Sequence, residues 1–244
     1  MTTLDWDYSA LAAHYNQRAP YAGAALDALL AELQLPSGAA VADIGAGTGR
    51  LSLPLRARGL RVTAVEPNAA MREVGLRDGL GYVDARGEAT GLPGRAFALV
   101  SYGSSFNVME PRSALTEAAR LLGDNGYIAI LWNHRDLDDP LQQAIEQAIC
   151  RHVPGYGYGR RREDPSAELA ASGRFGPVQS LSRGFLHDTS REAFLDGFRA
   201  HATLLRQAGD RAPAVFADIA ALLGNAERVQ VPFHTRIWWA PCTR

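Results

Sequence analysis

A short apolar run, Val41-Ala42-Asp43-Ile44, breaks into Gly45-Ala46-Gly47-Thr48-Gly49 and resumes at Arg50-Leu51 in a helix-compatible pattern. Strand, turn and helix in that order make a binding loop. Glycines let the backbone approach a ligand where a Cβ would collide, and the first helical turn offers unpaired N–H groups. The spacing is G-x-G-x-G with Asp43 ahead of it, whereas a dinucleotide fingerprint reads G-x-G-x-x-G. Taken alone, such turns also serve as plain connectors. The next apolar run, Leu60 onward, ends in Glu66-Pro67-Asn68. That places a carboxylate at the carboxyl tip of the adjoining strand, where it can accept both hydroxyl protons of a ribose. The competing reading, that Glu66 only caps the following helix, is weaker because Asn68 can be that cap.

Such residues need a scaffold to bring them together. Turn residues Pro36-Ser37-Gly38 follow an N-terminal helical stretch, and strand and helix patterns then alternate to about Asn133. This order builds a parallel sheet covered on both faces. Apolar spacing predicts helices over 51–58, 69–77 and 112–122, with a weak third strand near 81–85. In such sheets ligands sit beyond the carboxyl ends of the strands, where the glycine loop, Glu66, Glu88 and Ser104 all fall. Beyond Asp136 the pattern changes to a helix over 141–150, a Gly/Tyr/Arg loop over 153–162, a strand over 178–187, helices over 191–206 and 214–223, and a closing strand over 229–240. The loop suits either a pocket wall or an ordinary surface connection.

Composition excludes several chemistries. All 25 basic residues are arginine, so no lysine exists for a P-loop or a Schiff base. A net charge of −1 carries no basic excess for a nucleic-acid partner, and Arg160-Arg161-Arg162 is followed directly by Glu163-Asp164. No apolar run reaches membrane-span length, and residues 1–7 have neither the positive start nor the apolar core of a signal peptide. A cytoplasmic location without membrane attachment is expected. Cys150 and Cys242 form no C-x-x-C pair and no disulfide framework. The histidines show no metal-ligand spacing, so no metal is expected. At 244 residues and 47% hydrophobic, one α/β domain with an added lid or cap is expected.

With Asp43, the glycine loop and Glu66 in register, the chain resembles a class I S-adenosylmethionine-dependent methyltransferase of the type 11 small-molecule branch, over roughly residues 8–135. Further segments match that family's pattern. Gly87-Glu88-Ala89-Thr90-Gly91-Leu92-Pro93 resembles the segment that meets the adenine edge. Phe97 to Ser105 resembles the fourth strand and the loop lining the methionine end of the cofactor. Glu117-Ala118-Ala119-Arg120-Leu121-Leu122 with Gly123-Asp124-Asn125-Gly126 resembles the E-x-x-R helix, turn and fifth strand, which closes at Leu131-Trp132-Asn133. Tyr15-Asn16-Gln17-Arg18-Ala19-Pro20-Tyr21 resembles the lid whose arginine and tyrosine hold the cofactor's amino-acid end. Two departures stand out: Ala98 replaces the usual aspartate of F-D-L-V, and Phe106-Asn107-Val108-Met109 replaces a His-Trp found in many relatives.

The resemblance implies a doubly wound, Rossmann-like α/β fold with a seven-stranded sheet, mostly parallel with an antiparallel closing strand. It implies an N-terminal helical lid over 1–35, a cofactor-binding core over 36–135, a helical cap and substrate region with one core strand over 136–225, and a closing strand over 226–244. The implied cofactor is S-adenosyl-L-methionine, held by Arg18, Tyr21, Asp43, Gly45, Ala46, Gly47, Glu66, Pro67, Gly87, Glu88, Ala89, Tyr102, Gly103 and Ser104. Methyl transfer to oxygen or nitrogen of a small molecule, in secondary metabolism, needs alignment and an outlet for a proton. His134 and His201 are the candidate bases, the alternative for each being a structural imidazole. Asn133, Tyr156, Tyr158 and Arg162 are the candidate substrate wall, suited to a polar or anionic aromatic acceptor. A monomer or homodimer is expected. A second reading keeps the cofactor but closes its own methionine chain to azetidine-2-carboxylic acid, as in an offshoot of the family. That reaction favours aromatic faces near the sulfonium, for which Tyr8, Tyr15, Tyr21 and Tyr102 are available. A third is a non-catalytic binding module, against which the intact glycine loop and Glu66 argue.

Overall fold

Residues of opposite parity along each central strand enter two different apolar layers, which is what places helices on both faces of the sheet. The computed structural model describes residues 8–243; residues 1–7, read above for a leader, lie outside the described residues. In chain order the elements are α1 (Ala12–Tyr15), α2 (Gly23–Leu33), β1 (Ala40–Ile44), α3 (Ser52–Arg56), β2 (Arg61–Val65), α4 (Ala69–Arg77), β3 (Tyr82–Val83), β4 (Phe97–Gly103), α5 (Pro111–Leu121) and β5 (Leu122–Arg135). They continue as α6 (Pro140–His152), α7 (Ser166–Ala171), β6 (Gln179–Ser190), α8 (Arg191–Arg199), α9 (Ala202–Ala208), α10 (Ala212–Leu223) and β7 (Arg228–Pro241).

The strands form a seven-stranded sheet of order β3-β2-β1-β4-β5-β7-β6. The first five are parallel, and β7 runs antiparallel to both β5 and β6. Ala42, Val100, Tyr102, Ile128, Ile130 and Trp238 pack with Ala114, Leu115, Ala118 and Leu121 of α5. Their neighbours Val41, Leu99, Ala129, Leu131 and Trp239 pack on the opposite face with Leu26, Leu29 and Leu33 of α2. Period-2 alternation thus feeds both layers at once. A third apolar cluster joins α6, α8 and α10 with Val229 and Val231 at the start of β7, forming the cap.

The helix boundaries have local causes. Asn68 caps α4 by accepting from Met71 N at 3.0 Å, as its position before the apolar run predicts. Glu110 caps α5 ahead of Pro111, and Asp139 caps α6 ahead of Pro140. Two expectations need correction. The segment 1–35 is not all lid: α2 is a core helix, with Leu26 and Leu29 each 1% exposed, because its apolar stripe is wide enough to cover the sheet. Of the described N-terminal residues, only 8–22 approach the ligand side. The helix expected over 191–206 is broken, because His201 leaves helical geometry and its Nδ1 accepts from Leu204 N at 3.1 Å to start α9.

The Glu117–Arg120 pair shows how the core positions the site. Glu117 Oε1 accepts from Thr90 N (2.9 Å) and Thr90 Oγ1 (2.6 Å), and its other oxygen accepts from Arg120 Nε at 2.7 Å. The 86–92 segment is therefore tied to α5. Burial raises the Glu117 carboxyl, but the bonds from Arg120 and Thr90 outweigh it and hold the group down at about 2. Glu117→Ala orphans the Thr90 amide and is expected to lower stability by about 2 kcal/mol at neutral pH. The folded value lies below the 4.5 of an ordinary glutamate, so the wild-type advantage is full above that and fades as pH falls toward about 2. Urea titrations across that range test this, and a difference independent of pH would contradict it.

Candidate active site

The strand order reverses between β1 and β4, and the loops leaving their carboxyl ends part there to open a crevice. One loop is 45–49. Gly45, Gly47 and Gly49 all have positive φ, and a Cβ on Gly45 would stand 2.6 Å from Ser105 Cβ. The other loop is 104–109, entered through Ser104 at φ +58. Between them lies a cavity of ≈ 450 Å³. Glu66 reaches into its wall from the tip of β2, its Oε2 accepting from Gly47 N and its Oε1 from Asn68 N, each at 2.9 Å. A carboxylate oxygen has more than one lone pair, so both remain able to accept from a diol.

The far wall suits a flat ring. Met71, Val108 and Met109 are apolar, and Arg86, Gly87 and Glu88 supply backbone along one edge. A Cβ on Gly87 would come within 2.6 Å of Ile44 Cγ2 and 2.7 Å of Met109 Sδ, so this segment must be glycine to lie so close. Asn68 and Pro67 complete the corner.

A narrower space of ≈ 40 Å³ continues past the glycine loop toward Tyr21, Asp43, Gly103 and Asn133. Asp43 is fully buried, accepting from Ser52 Oγ (2.6 Å) and Ser101 Oγ (2.9 Å). Burial raises its carboxyl to about 6 in spite of those bonds, with Glu66 adding repulsion. Tyr21 OH lies 3.0 Å from Ser104 Oγ, and burial pushes its phenol up to about 12. The lid is fastened by its backbone. Asn133 Nδ2 donates to the carbonyls of Ala19 (3.2 Å) and Pro20 (2.5 Å), Thr235 Oγ1 accepts from Ala22 N at 2.8 Å, and Thr48 Oγ1 donates to Asn16 Oδ1 at 2.6 Å.

Beyond Ser104 a second cavity of ≈ 230 Å³ lies between the lid, the 104–108 loop, the 158–161 turn and α9. Arg18, Arg160, Arg161 and Arg206 line it, together with Tyr8, Tyr15 and Tyr158. A smaller space of ≈ 80 Å³ continues under the cap, past Arg18 and Arg161 to His134, Arg162 and His201.

The structure brings together most of the residues expected from the sequence. Gly45, Gly47, Glu66, Pro67, Gly87, Glu88 and Ser104 line the large cavity, and Arg18, Tyr21, Asp43, Ala46 and Gly103 line the narrow one. Tyr102 does not belong there. It is fully buried in the core with its hydroxyl donating to Ala114 O at 3.0 Å, because its parity in β4 turns it toward α5. Ala89 borders neither space and is exposed, its amide turned back to Arg86 O at 3.1 Å. Tyr156 packs on the cap cluster instead of lining a cavity, while Tyr158 and Arg162 do line one, stacked at 4.1 Å. Asn133 borders the site but spends its amide on the lid.

The two histidines sit under the cap, on the wall of the ≈ 80 Å³ space and not on that of the ≈ 230 Å³ cavity. His134 Nε2 lies 2.8 Å from the Arg161 carbonyl, an acceptor, which makes it the protonated nitrogen. Burial, with Arg162 and Arg161 nearby, lowers His134 to about 4. His201 uses Nδ1 as the α9 cap, so its proton is on Nε2, and burial among Arg161, Arg18 and Arg135 lowers it well below 6.5. A second proton would have to go on Nδ1 and would break that cap. Both imidazoles are neutral, positioned groups. The residues missed in the sequence are Met71, Val108, Met109, Arg161 and Arg206. The three apolar ones carry no polar signal, and Arg161 was read as compensated by Glu163 and Asp164. In fact Arg160 pairs with Glu168, and Asp164 caps Ser166 N at 2.8 Å. Among the described residues no three metal-ligating side chains converge, and no helix is long and apolar enough to cross a membrane.

The raised Asp43 carboxyl sets a testable sign. Stability from this group is full below 3.8 and is lost as pH rises through about 6. Asp43→Asn removes the titration while keeping an acceptor for one serine. Its melting temperature relative to wild type is expected to climb from about pH 4 to pH 7; parallel curves for the two proteins would refute the assignment.

Residues 42–130 match the model of the methyltransferase domain family Methyltransf_11. An uncharacterized methyltransferase of Mycobacterium tuberculosis is 36% identical over 132 residues, 52% of this chain and 52% of its own. The demethylmenaquinone methyltransferase of Clavibacter sepedonicus is 37% identical over 102 residues, 38% of this chain and 41% of its own. The chain thus spans about half the length of the curated relatives it matches. A solved structure from Anaeromyxobacter dehalogenans, assigned as a type II methyltransferase, superposes with a TM-score of 0.61 at 21% identity, over 92% of this chain and 97% of that one. The matched segment holds the glycine loop, Glu66, the 86–92 segment and the Glu117–Arg120 pair, so residues 42–130 match the methyltransferase domain family and the chain shares the fold of the solved methyltransferase structure.

Proposed function

We propose that the protein transfers a methyl group from S-adenosylmethionine to oxygen or nitrogen of a small molecule, in a secondary-metabolic setting. The observation that carries this reading is the ≈ 450 Å³ cavity at the strand-order reversal, with Glu66 on one wall and a second cavity opening past Ser104. The residues present fit the cofactor. Glu66 offers two acceptors to a ribose, Met71, Val108 and Met109 offer faces to a purine, and Arg18 lines the far end as the partner for a carboxylate. When bound, S-adenosylmethionine supplies a methyl group activated by its sulfonium.

The chain's own contribution is alignment and exclusion of water. The glycine loop and the 104–109 loop hold the two sides of the crevice. Tyr21 and Ser104 bond each other across its narrow end, and the lid, anchored by Asn133 and Thr48, closes above. The ≈ 230 Å³ cavity supports a separate acceptor over the cyclisation reading, which needs none. Tyr102, one of the aromatic faces that reading would use, lies in the core.

Two measurements test the proposal. Purified protein incubated with S-adenosylmethionine alone is expected to bind it without turnover, and to release S-adenosylhomocysteine once an acceptor is added. Methylthioadenosine with a C4 amino acid, detected by mass spectrometry above a protein-free control, would replace it by the cyclase. Glu66→Ala is expected to weaken S-adenosylhomocysteine binding by about tenfold or more in calorimetry. Unchanged affinity would remove Glu66 from the site.

A further inference from the structure

The acceptor cavity has an unusual charge arrangement for a site beside a sulfonium cofactor. Its described lining contains Arg18, Arg160, Arg161 and Arg206 and no aspartate or glutamate, and the same holds for the ≈ 80 Å³ space beneath it. The acids of the site, Asp43, Glu66 and Glu88, all lie on the glycine-loop side.

Other arginines around the cap are matched. Arg135 reaches Glu146 at 2.6 Å, Arg160 pairs with Glu168, and Arg151 reaches Asp218 at 2.9 Å. Arg162 stacks on Tyr158 and donates to the Arg135 carbonyl at 3.2 Å. No acidic side chain among the described residues pairs with Arg18, Arg161 or Arg206. Arg18 has only the Tyr15 ring beneath it, 5.1 Å away. Arg161 faces Arg18 with no acidic side chain among the described residues between them, and burial together with that repulsion lowers it to about 10. Cations held together in a partly desolvated space raise the energy of the empty protein unless a ligand supplies the counter-charge.

We propose that the ≈ 230 Å³ cavity is the subsite for an oxyanion of the acceptor, a carboxylate or phosphate, anchored by Arg161 and drawn in by Arg206 at the surface. This rests on the methyltransferase reading and names its substrate class. Arg18 is left to the carboxylate of the cofactor, and Tyr158 and Tyr8 form walls that accept an aromatic body.

The test uses matched probes on the full-length protein, with and without saturating S-adenosylhomocysteine. These are 4-hydroxybenzoate against 4-hydroxybenzamide, and phenyl phosphate against phenol, followed by calorimetry. The anionic member of at least one pair is expected to bind about tenfold or more tightly than its neutral partner, with the better pair identifying carboxylate or phosphate. Arg161→Gln is expected to abolish that preference without lowering the melting temperature of the unliganded protein, since it relieves an unpaired charge. Arg206→Gln, an exposed change that leaves the fold alone, is expected to weaken anion binding severalfold and flatten its salt dependence. Equal binding of neutral and anionic partners, or a preference that survives both substitutions, overturns the proposal. Anion preference without any S-adenosylhomocysteine binding would instead overturn the methyltransferase reading, and with it the acceptor role, leaving an anion-binding cavity alone.

Discussion

The site depends on one bond above the others, from the amide of Gly47 to the carboxylate of Glu66. It joins the loop after β1 to the tip of β2 and so fixes where the backbone N–H groups of the glycine loop stand relative to the Glu66 carboxylate on the cavity wall. Asp43 braces the same loop from beneath through Ser52 and Ser101, at the expense of a buried carboxylate whose charged form is disfavoured. Glycine at 45 and 47 permits the geometry, because both positions have positive φ. The fold stores polar strain at this one point and supports it with two well-packed apolar layers.

The remaining walls are held by similar ties between distant segments. Glu117 on α5 fixes the 86–92 segment through Thr90, and Asn133 with Thr235 at the sheet's antiparallel end fixes the lid. Each tie joins a loop that must be polar and partly exposed to a core element that cannot move. The charge of the site is then divided by layer. The core supplies acids on the glycine-loop side, and the lid and cap supply arginines around the ≈ 230 Å³ cavity.

The cap has its own physical logic. α6, α8 and α10 bury an apolar cluster against the first residues of β7, so the cap is a packed unit resting on the sheet and not a loose loop. Its edge carries the 158–162 turn and the start of α9, and the histidine that caps α9 also borders the space beneath.

The sequence by itself determined the parallel core, the glycine loop, Glu66, the Asn68 cap and the antiparallel return at the end, since these rest on short-range rules of parity, spacing and conformational freedom. It also placed the segment after β3 correctly as Gly87 and Glu88. Tertiary structure alone decided which polar residues face a ligand. Tyr102 went to the core by its parity and Ala89 to solvent by a local turn, and neither outcome is visible in a motif match. His134 and His201 are oriented by the Arg161 carbonyl and the Leu204 amide, and burial with nearby arginines keeps both rings neutral. Arg161, followed in the sequence by two acids, has no acidic partner among the described residues, because Arg160 pairs with Glu168 and Asp164 accepts from Ser166 N. Charge pairing is settled by through-space distance, which chain order does not encode, and that is why the arginine-lined cavity could be read only from the fold.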